Sequence, residues 1–264
     1  MKNKRFFVVA AILIVFSLYA YHFGVNRDYF RLRRDIAAQF RDNRPQLWSE
    51  VIPGIKRRLD SSDKVLALTL DACGSRSDGY DATLIDFLIK ENIPATLFIT
   101  GRWINKNPGV FKQLARQPLF EIENHGLNHK PCSVSGKSVY GIRGTRSANE
   151  VVDEVERNAR KIERLTGRKP HFYRSGTAYY DEIGLRIVQA LGYQAVGFSV
   201  LGDKGATYSK EEIKKALAHV RSGDIIICHM NHPERETAEG LMAVLPQLRQ
   251  MGFRFVKLSE YQLK

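Results

Sequence analysis

From Val65 onward, short apolar runs and amphipathic stretches alternate with little interruption, and no other feature constrains the fold as tightly. Strand-like runs are read at Val65–Leu70, Ala95–Thr100, Leu119–Glu123, Pro170–Arg174, Gln194–Val200, Asp224–His229 and Phe253–Val256. Helical stretches fall among them at Thr83–Glu91, Gly109–Arg116, Ala148–Thr166, Asp181–Leu191, Lys210–Arg221 and Ala238–Met251. The longest has Ser147 or Asn149 as its N-cap and stops at Gly167, which suits a left-handed C-terminal cap. Parallel neighbours need a crossover, so this alternation predicts a mostly parallel sheet with helices on its outer side. Seven strands point to a barrel-like closure, and in such barrels functional groups gather at the carboxyl ends of the strands.

The start of the chain reads differently. After Lys2, Lys4 and Arg5 comes the apolar run Phe6–Val25, about 20 residues, matching a hydrocarbon core of ~30 Å at ~1.5 Å per residue. No Ala-x-Ala-like cleavage site precedes Gly24, so an uncleaved, single-pass anchor in the inner or plasma membrane is expected over residues 1–25. Arginines on the far side (Arg27, Arg31, Arg33, Arg34, Arg41, Arg44) offset the N-terminal charges, and the positive-inside rule does not fix the orientation. A domain facing the periplasm or the exterior is expected from the chemistry below. Residues 26–62 read as a basic juxtamembrane connector with a short amphipathic helix around Tyr29–Phe40, broken by Pro45 and Pro53-Gly54. The 264 residues leave 63–264 for one catalytic domain.

The formal net charge of +13 points to anionic surroundings. Much of it lies in Arg27–Arg58, beside the expected anchor, so an anionic lipid surface is the simplest partner. No zinc finger, helix-turn-helix or base-stacking pattern accompanies it, and no nucleic-acid partner is expected. Three cysteines make no disulfide framework; Cys73, Cys132 and Cys228 read as small buried residues, soft metal ligands or one local disulfide.

Chemistry-bearing residues recur just after the strands. The first strand ends Thr69-Leu70-Asp71-Ala72-Cys73-Gly74, placing a carboxylate suited to general-base work at a turn. The third ends His125-Gly126-Leu127-Asn128-His129; read as one helical turn, this puts both imidazoles on one side, as a divalent metal site needs. The fourth delivers Arg174, able to orient a carboxylate, and a Gly-containing turn whose backbone N–H groups can face an oxyanion. The sixth ends at His229, a candidate general acid. The irregular piece Lys130–Arg146 suits a substrate loop or lid.

Together these segments resemble the polysaccharide deacetylase family (NodB homology, carbohydrate esterase family 4) over Val65–Leu263. Thr69-Leu70-Asp71-Ala72-Cys73 stands where the family has Thr-Phe-Asp-Asp-Gly, His125–His129 where it has His-Ser/Thr-x-x-His, and Ile227-Cys228-His229 where it has Leu-x-His. Arg174 matches the third motif's arginine, although Ser-Gly-Thr-Ala-Tyr replaces the usual Pro-Pro-Tyr-Gly. The resemblance implies a deformed (β/α)7-type barrel and a metal-dependent hydrolase that removes N-acetyl groups from amino sugars of an envelope glycan. It implies Asp71 as base, Arg174 as its orienting partner, His229 as acid, and His125 and His129 as ligands of zinc, with cobalt or nickel as alternatives. Thr177, Tyr179 and Asp203 are assigned to the substrate and oxyanion side, Asp203 also as a support for His229. The family's second Asp, a metal ligand, is here Ala72. Three outcomes stay open: a water or substrate oxygen fills the place, Cys73, Asp78 or Asp71 takes it, or the metal is lost. Two further functions stay open with them, deformylation or deacetylation of a lipid-linked amino sugar and a catalytically silent glycan-binding scaffold.

Overall fold

The computed structural model describes residues 27–264. A helix at 27–39 (α1) leads through an irregular arm into β1 (Val65–Ala72), α2 (Ala82–Lys90), β2 (Ala95–Ile99), α3 (Gly101–Lys106), α4 (Pro108–Arg116) and β3 (Phe120–Asn124). The hairpin β4 (Ser138–Val139) and β5 (Ile142–Arg143) follows, then α5 (Ala148–Thr166), β6 (Phe172–Tyr173), α6 (Glu182–Ala190), β7 (Gln194–Ala195) and β8 (Val200–Leu201). The chain closes with α7 (Lys210–Leu217), β9 (Asp224–His229), α8 (Thr237–Gln250) and β10 (Arg254–Phe255).

The main sheet runs β7-β6-β3-β2-β1-β9-β8, every pairing parallel, with β10 beside the start of β1. The stretch expected as one strand over Gln194–Val200 is split. β7 pairs with β6 and β8 with β9, and between them Val196 N–H donates to Tyr173 O (2.9 Å) and Ser199 N–H to Ile225 O (3.0 Å). One short segment thus crosses from one sheet edge to the other, giving an α/β half-barrel rather than seven full strands. Gly197 sits at the crossing, where an added Cβ would meet Ile55 at 3.1 Å.

Side-chain alternation sorts β1 into two layers. Leu66, Leu68, Leu70 and Ala72 face the helices, packed with Leu84 and Leu88 of α2 and Leu241 and Leu245 of α8. Val65 and Ala67 join Phe98, Phe172 and Ile225 in the inner cluster. At ~1.5–3 kcal/mol per fully buried large aliphatic side chain, these layers fix the register of β1 and hence where its last residues point. Helix α5 has the expected bounds, with the Ser147 side chain accepting from Glu150 N–H and Gly167 left-handed at φ 73°. Helix α3 and the β4–β5 hairpin were not anticipated; α3 is a six-residue helix capped by the Thr100 side chain.

The basic arm is folded onto the barrel. Ile36 and Phe40 are buried with Val152, Val155, Ile183 and Ile187 of α5 and α6, and Arg33 pairs with Asp153 at 2.7 Å. Further along, Ser49 bridges to Tyr180, Lys56 to Val196 and Leu59 to Leu263. The apolar run 6–25 lies outside the described residues. Among those described, no helix is long and apolar enough to cross a membrane.

Candidate active site

Asp71, His125, Arg174 and His229 converge at the carboxyl ends of β1, β3, β6 and β9. Asp71 is 2% exposed and Arg174 fully buried, joined Oδ1 to Nη1 at 2.6 Å. Every polar edge of the guanidinium is occupied: Nη1 also donates to Thr69 Oγ1 (2.9 Å), Nη2 to Gly197 O (2.9 Å) and Nε to Val196 O (3.4 Å), while its face stacks on Phe98 at 4.2 Å. Burial works to raise the Asp71 carboxyl, but Arg174 and then His125 outweigh it and hold the group below the usual carboxylate range. A buried carboxylate kept ionised and aimed by one partner is the result.

The two histidines meet, though not through a helical turn. Residues 125–129 form an irregular bend in which Gly126 (φ 83°) and His129 (φ 61°) both adopt left-handed backbone, bringing the rings to 4.9 Å between centroids. Left-handed backbone costs a residue with a Cβ about 1–2 kcal/mol, so the bend needs an external hold. Glu154 of α5 supplies it, accepting from Asn128 N–H (2.7 Å) and Lys130 N–H (3.1 Å), while its backbone carbonyl accepts Leu127 N–H (2.9 Å). Glu154 was not singled out in the sequence, where it is one of several charges along α5; only its burial at 3% exposed marks it out. Gly176 packs on the same bend, and an added Cβ would lie 2.2 Å from His129 O. Gly176→Ala is therefore expected to destabilise the fold by about 1–3 kcal/mol through overpacking and to weaken zinc binding, read by urea unfolding and zinc titration.

Donor chemistry fits a metal ion. His125 Nδ1 lies 2.8 Å from Arg174 O, a pure acceptor, so Nδ1 carries the hydrogen and Nε2 keeps the lone pair. His129 Nδ1 is buried without a hydrogen-bond partner. Cys73, His125 and His129 each offer one ligand atom, all within 4.8 Å of one another. A thiolate with two imidazoles is a zinc-type donor set that leaves a fourth position for substrate or water. Burial tends to raise the Cys73 thiol, but the His129 and His125 rings beside it outweigh this and hold it well below its usual value. Two donors pin the loop there: Thr100 Oγ1 (2.9 Å) and Arg102 Nε (2.8 Å) both bond Cys73 O.

Ala72 faces away from this cluster, buried in the apolar layer beneath the helices. Of the alternatives for its place, Asp78 stands apart: it accepts from Ser75 N–H (2.7 Å) and faces His232 Nε2 at 3.7 Å. Cys132 and Cys228 are buried and, like Cys73, free, so the local disulfide does not form. Asp203 is fully buried and bonded to His229 and Thr237, not part of a substrate surface. Its Oδ1 meets His229 Nδ1 at 2.9 Å, and its Oδ2 accepts His229 N–H (2.7 Å) and Thr237 Oγ1 (3.1 Å). Burial disfavours charge on His229, but Asp203 outweighs it and raises the ring well above its usual value.

In the turn after Arg174, Thr177 (φ 70°) and Ala178 (φ 61°) are both left-handed. Ala178 N–H is taken by Ser175 O and Tyr180 N–H by Ser49 O, which leaves Gly176, Thr177 and Tyr179 to offer backbone donors. The Tyr179 ring stands between Trp48 (5.5 Å) and the exposed Tyr140 of the hairpin (6.0 Å), forming an aromatic rim.

A parallel half-barrel thus gathers a buried Asp–Arg pair, an Asp–His pair and a Cys–His–His cluster able to hold a metal at its strand ends, an arrangement that suits a hydrolase. The polysaccharide deacetylase family model matches residues 58–196, and the chain belongs to that family, hydrolases of carbon–nitrogen amide bonds. It is 26% identical over 209 residues to a peptidoglycan-N-acetylglucosamine deacetylase of Bacillus cereus, covering 76% of this chain and 89% of that one. Among solved structures, a peptidoglycan N-acetylglucosamine deacetylase superposes with TM-score 0.67 at 22% identity, over 79% of this chain and 92% of that one. A CE4 family pseudoenzyme from Bacillus anthracis superposes with TM-score 0.66 at 20% identity, over 80% and 69%.

Proposed function

We propose that this chain deacetylates N-acetylated amino sugars of an envelope glycan, peptidoglycan or an exopolysaccharide, from a membrane anchor at residues 6–25 with its domain facing outward. The observation that carries the reading is the position of Cys73: where Ala72 offers no ligand, the next residue brings a thiol to His125 and His129. A silent scaffold has no need of such a replacement.

Bound at Cys73, His125 and His129, a divalent ion such as zinc would supply Lewis-acid polarisation of the amide carbonyl and acidify water. The protein's own groups do the rest. Asp71, held ionised by Arg174, takes the proton of the attacking water. Backbone N–H groups of the Gly176–Tyr179 turn face the oxyanion that develops on the substrate. His229, kept protonated by Asp203, gives its proton to the departing amine. The aromatic rim of Trp48, Tyr140 and Tyr179 offers flat apolar faces for sugar rings.

The purified chain is expected to carry near-stoichiometric metal and to release acetate from N-acetylglucosamine oligomers. Absence of release with zinc, cobalt or nickel supplied overturns the reading. A second measurement isolates the acid. His229→Ala is expected to lower amide hydrolysis by roughly 10²–10⁴-fold while sparing an aryl acetate, whose leaving group needs no proton. Equal losses on both substrates would remove His229 from that role.

A further inference from the structure

Away from the site, α1, α3 and α5 enclose an open groove of about 820 Å³. Six cations line it: Arg33 from α1, Arg102 from α3, and Arg157, Arg160, Lys161 and Arg164 from α5. Among the described residues two carboxylates answer them. Asp153 pairs with Arg33 at 2.7 Å and Glu156 with Arg160 at 2.9 Å, which leaves four positive charges in excess. Burial, then Arg164 and Arg157, hold the Lys161 ammonium below its usual value, as expected where cations are crowded. Phe30 stands at the same groove with 63% of its surface exposed. Such crowding is costly without an anion to relieve it, and an exposed aromatic beside arginines suits the boundary between water and lipid.

We infer that this groove seats the phosphate headgroups of anionic phospholipid, docking the catalytic domain on the leaflet that holds the N-terminal segment. The inference rests on reading residues 6–25 as a membrane anchor. That apolar run ends at Val25, and Arg27, the first described residue, already lies in α1, so one wall of the groove is within a few residues of the expected anchor along the chain. Lipid is favoured over a soluble polyanion for that reason: the headgroups are already within reach at high local concentration. At its α3 wall the groove includes Arg102, whose Nε holds Cys73 O at 2.8 Å, so docking sets the height of the catalytic loop above the surface.

The test uses the full chain in nanodiscs of phosphatidylcholine, alone or mixed with phosphatidylglycerol, each containing a trace of the matching lipid with a photoreactive headgroup. Adducts on α1 and α5 are expected with phosphatidylglycerol only, and are lost in high salt. Arg157→Glu with Arg164→Glu should lower them at least about tenfold, the scale for two cations at a lipid surface. Acetate release from soluble oligomers should stay unchanged in that variant, which separates failure of the lipid reading from failure of the deacetylase reading. Equal adducts with both lipids, or a chain that does not stay with the discs, overturn the inference. So does competition by inorganic phosphate or by a soluble anionic glycan, which would assign the groove to that ligand instead.

Discussion

Replacing Cys73 with alanine is expected to empty the metal site and abolish acetate release. Removal of an outer-sphere partner typically costs ~10–100-fold in metal affinity, and loss of a ligand atom should exceed that. The cobalt-loaded wild type should show thiolate-to-cobalt charge-transfer absorption, and Cys73→Ala should not. Cys73→Asp restores an anionic donor beside His125 and His129, so it should recover part of the affinity with a preference shifted toward harder ions. The expected order of zinc retention is wild type, then the aspartate variant, then alanine. Full metal content with undiminished activity in Cys73→Ala would exclude the thiol as a ligand. Loss of metal with the fold intact, judged by an unchanged urea midpoint for the apo protein, is the supporting result.

Much of this was legible from the chain. The parallel sheet was legible because strand-like and helical runs alternate, and β1, apolar but for Thr69 and Asp71, is buried along its whole length, as a strand covered on both faces must be. In this chain Ala72 lies in the layer of Leu66, Leu68 and Leu70, whereas Cys73 lies beside His125 and His129, so the thiol stands next along the chain from the missing carboxylate. What stayed hidden depended on distant contacts. Nothing local marks Glu154 as the brace of the histidine bend, or Thr100 and Arg102 as grips on Cys73 O, because each acts across 24 residues or more. The His125–His129 spacing suggested a helical turn, yet Gly126 breaks the helix and lets the chain bend through left-handed backbone. Asp203 was assigned both to the substrate side and to the support of His229, and its full burial against the His229 ring leaves it the second of these.

The buried Asp71–Arg174 pair gives the other large effect. Asp71→Asn keeps the shape but removes the charge, so activity should fall by roughly 10²–10⁴-fold if Asp71 is the base. It also leaves a fully buried guanidinium without its anion. Such breaks cost ~3–5 kcal/mol, and the remaining bonds to Thr69, Val196 and Gly197 place the expected loss near the lower end. A double replacement separates the two roles. Asp71→Asn with Arg174→Met substitutes an apolar chain over Phe98 and should regain most of the stability, because a well-packed hydrophobic pair often matches a buried ion pair. It should regain none of the activity. The pH dependence supplies an independent sign. Because the folded carboxyl is depressed, its stabilisation is present above the unfolded value of ~3.9 and is lost as pH falls through the folded value. Wild-type unfolding free energy should therefore drop below about pH 4 by more than that of Asp71→Asn. Parallel acid profiles for the two proteins would mean that the pair contributes no net charge stabilisation, and the role of Arg174 would reduce to aiming the base.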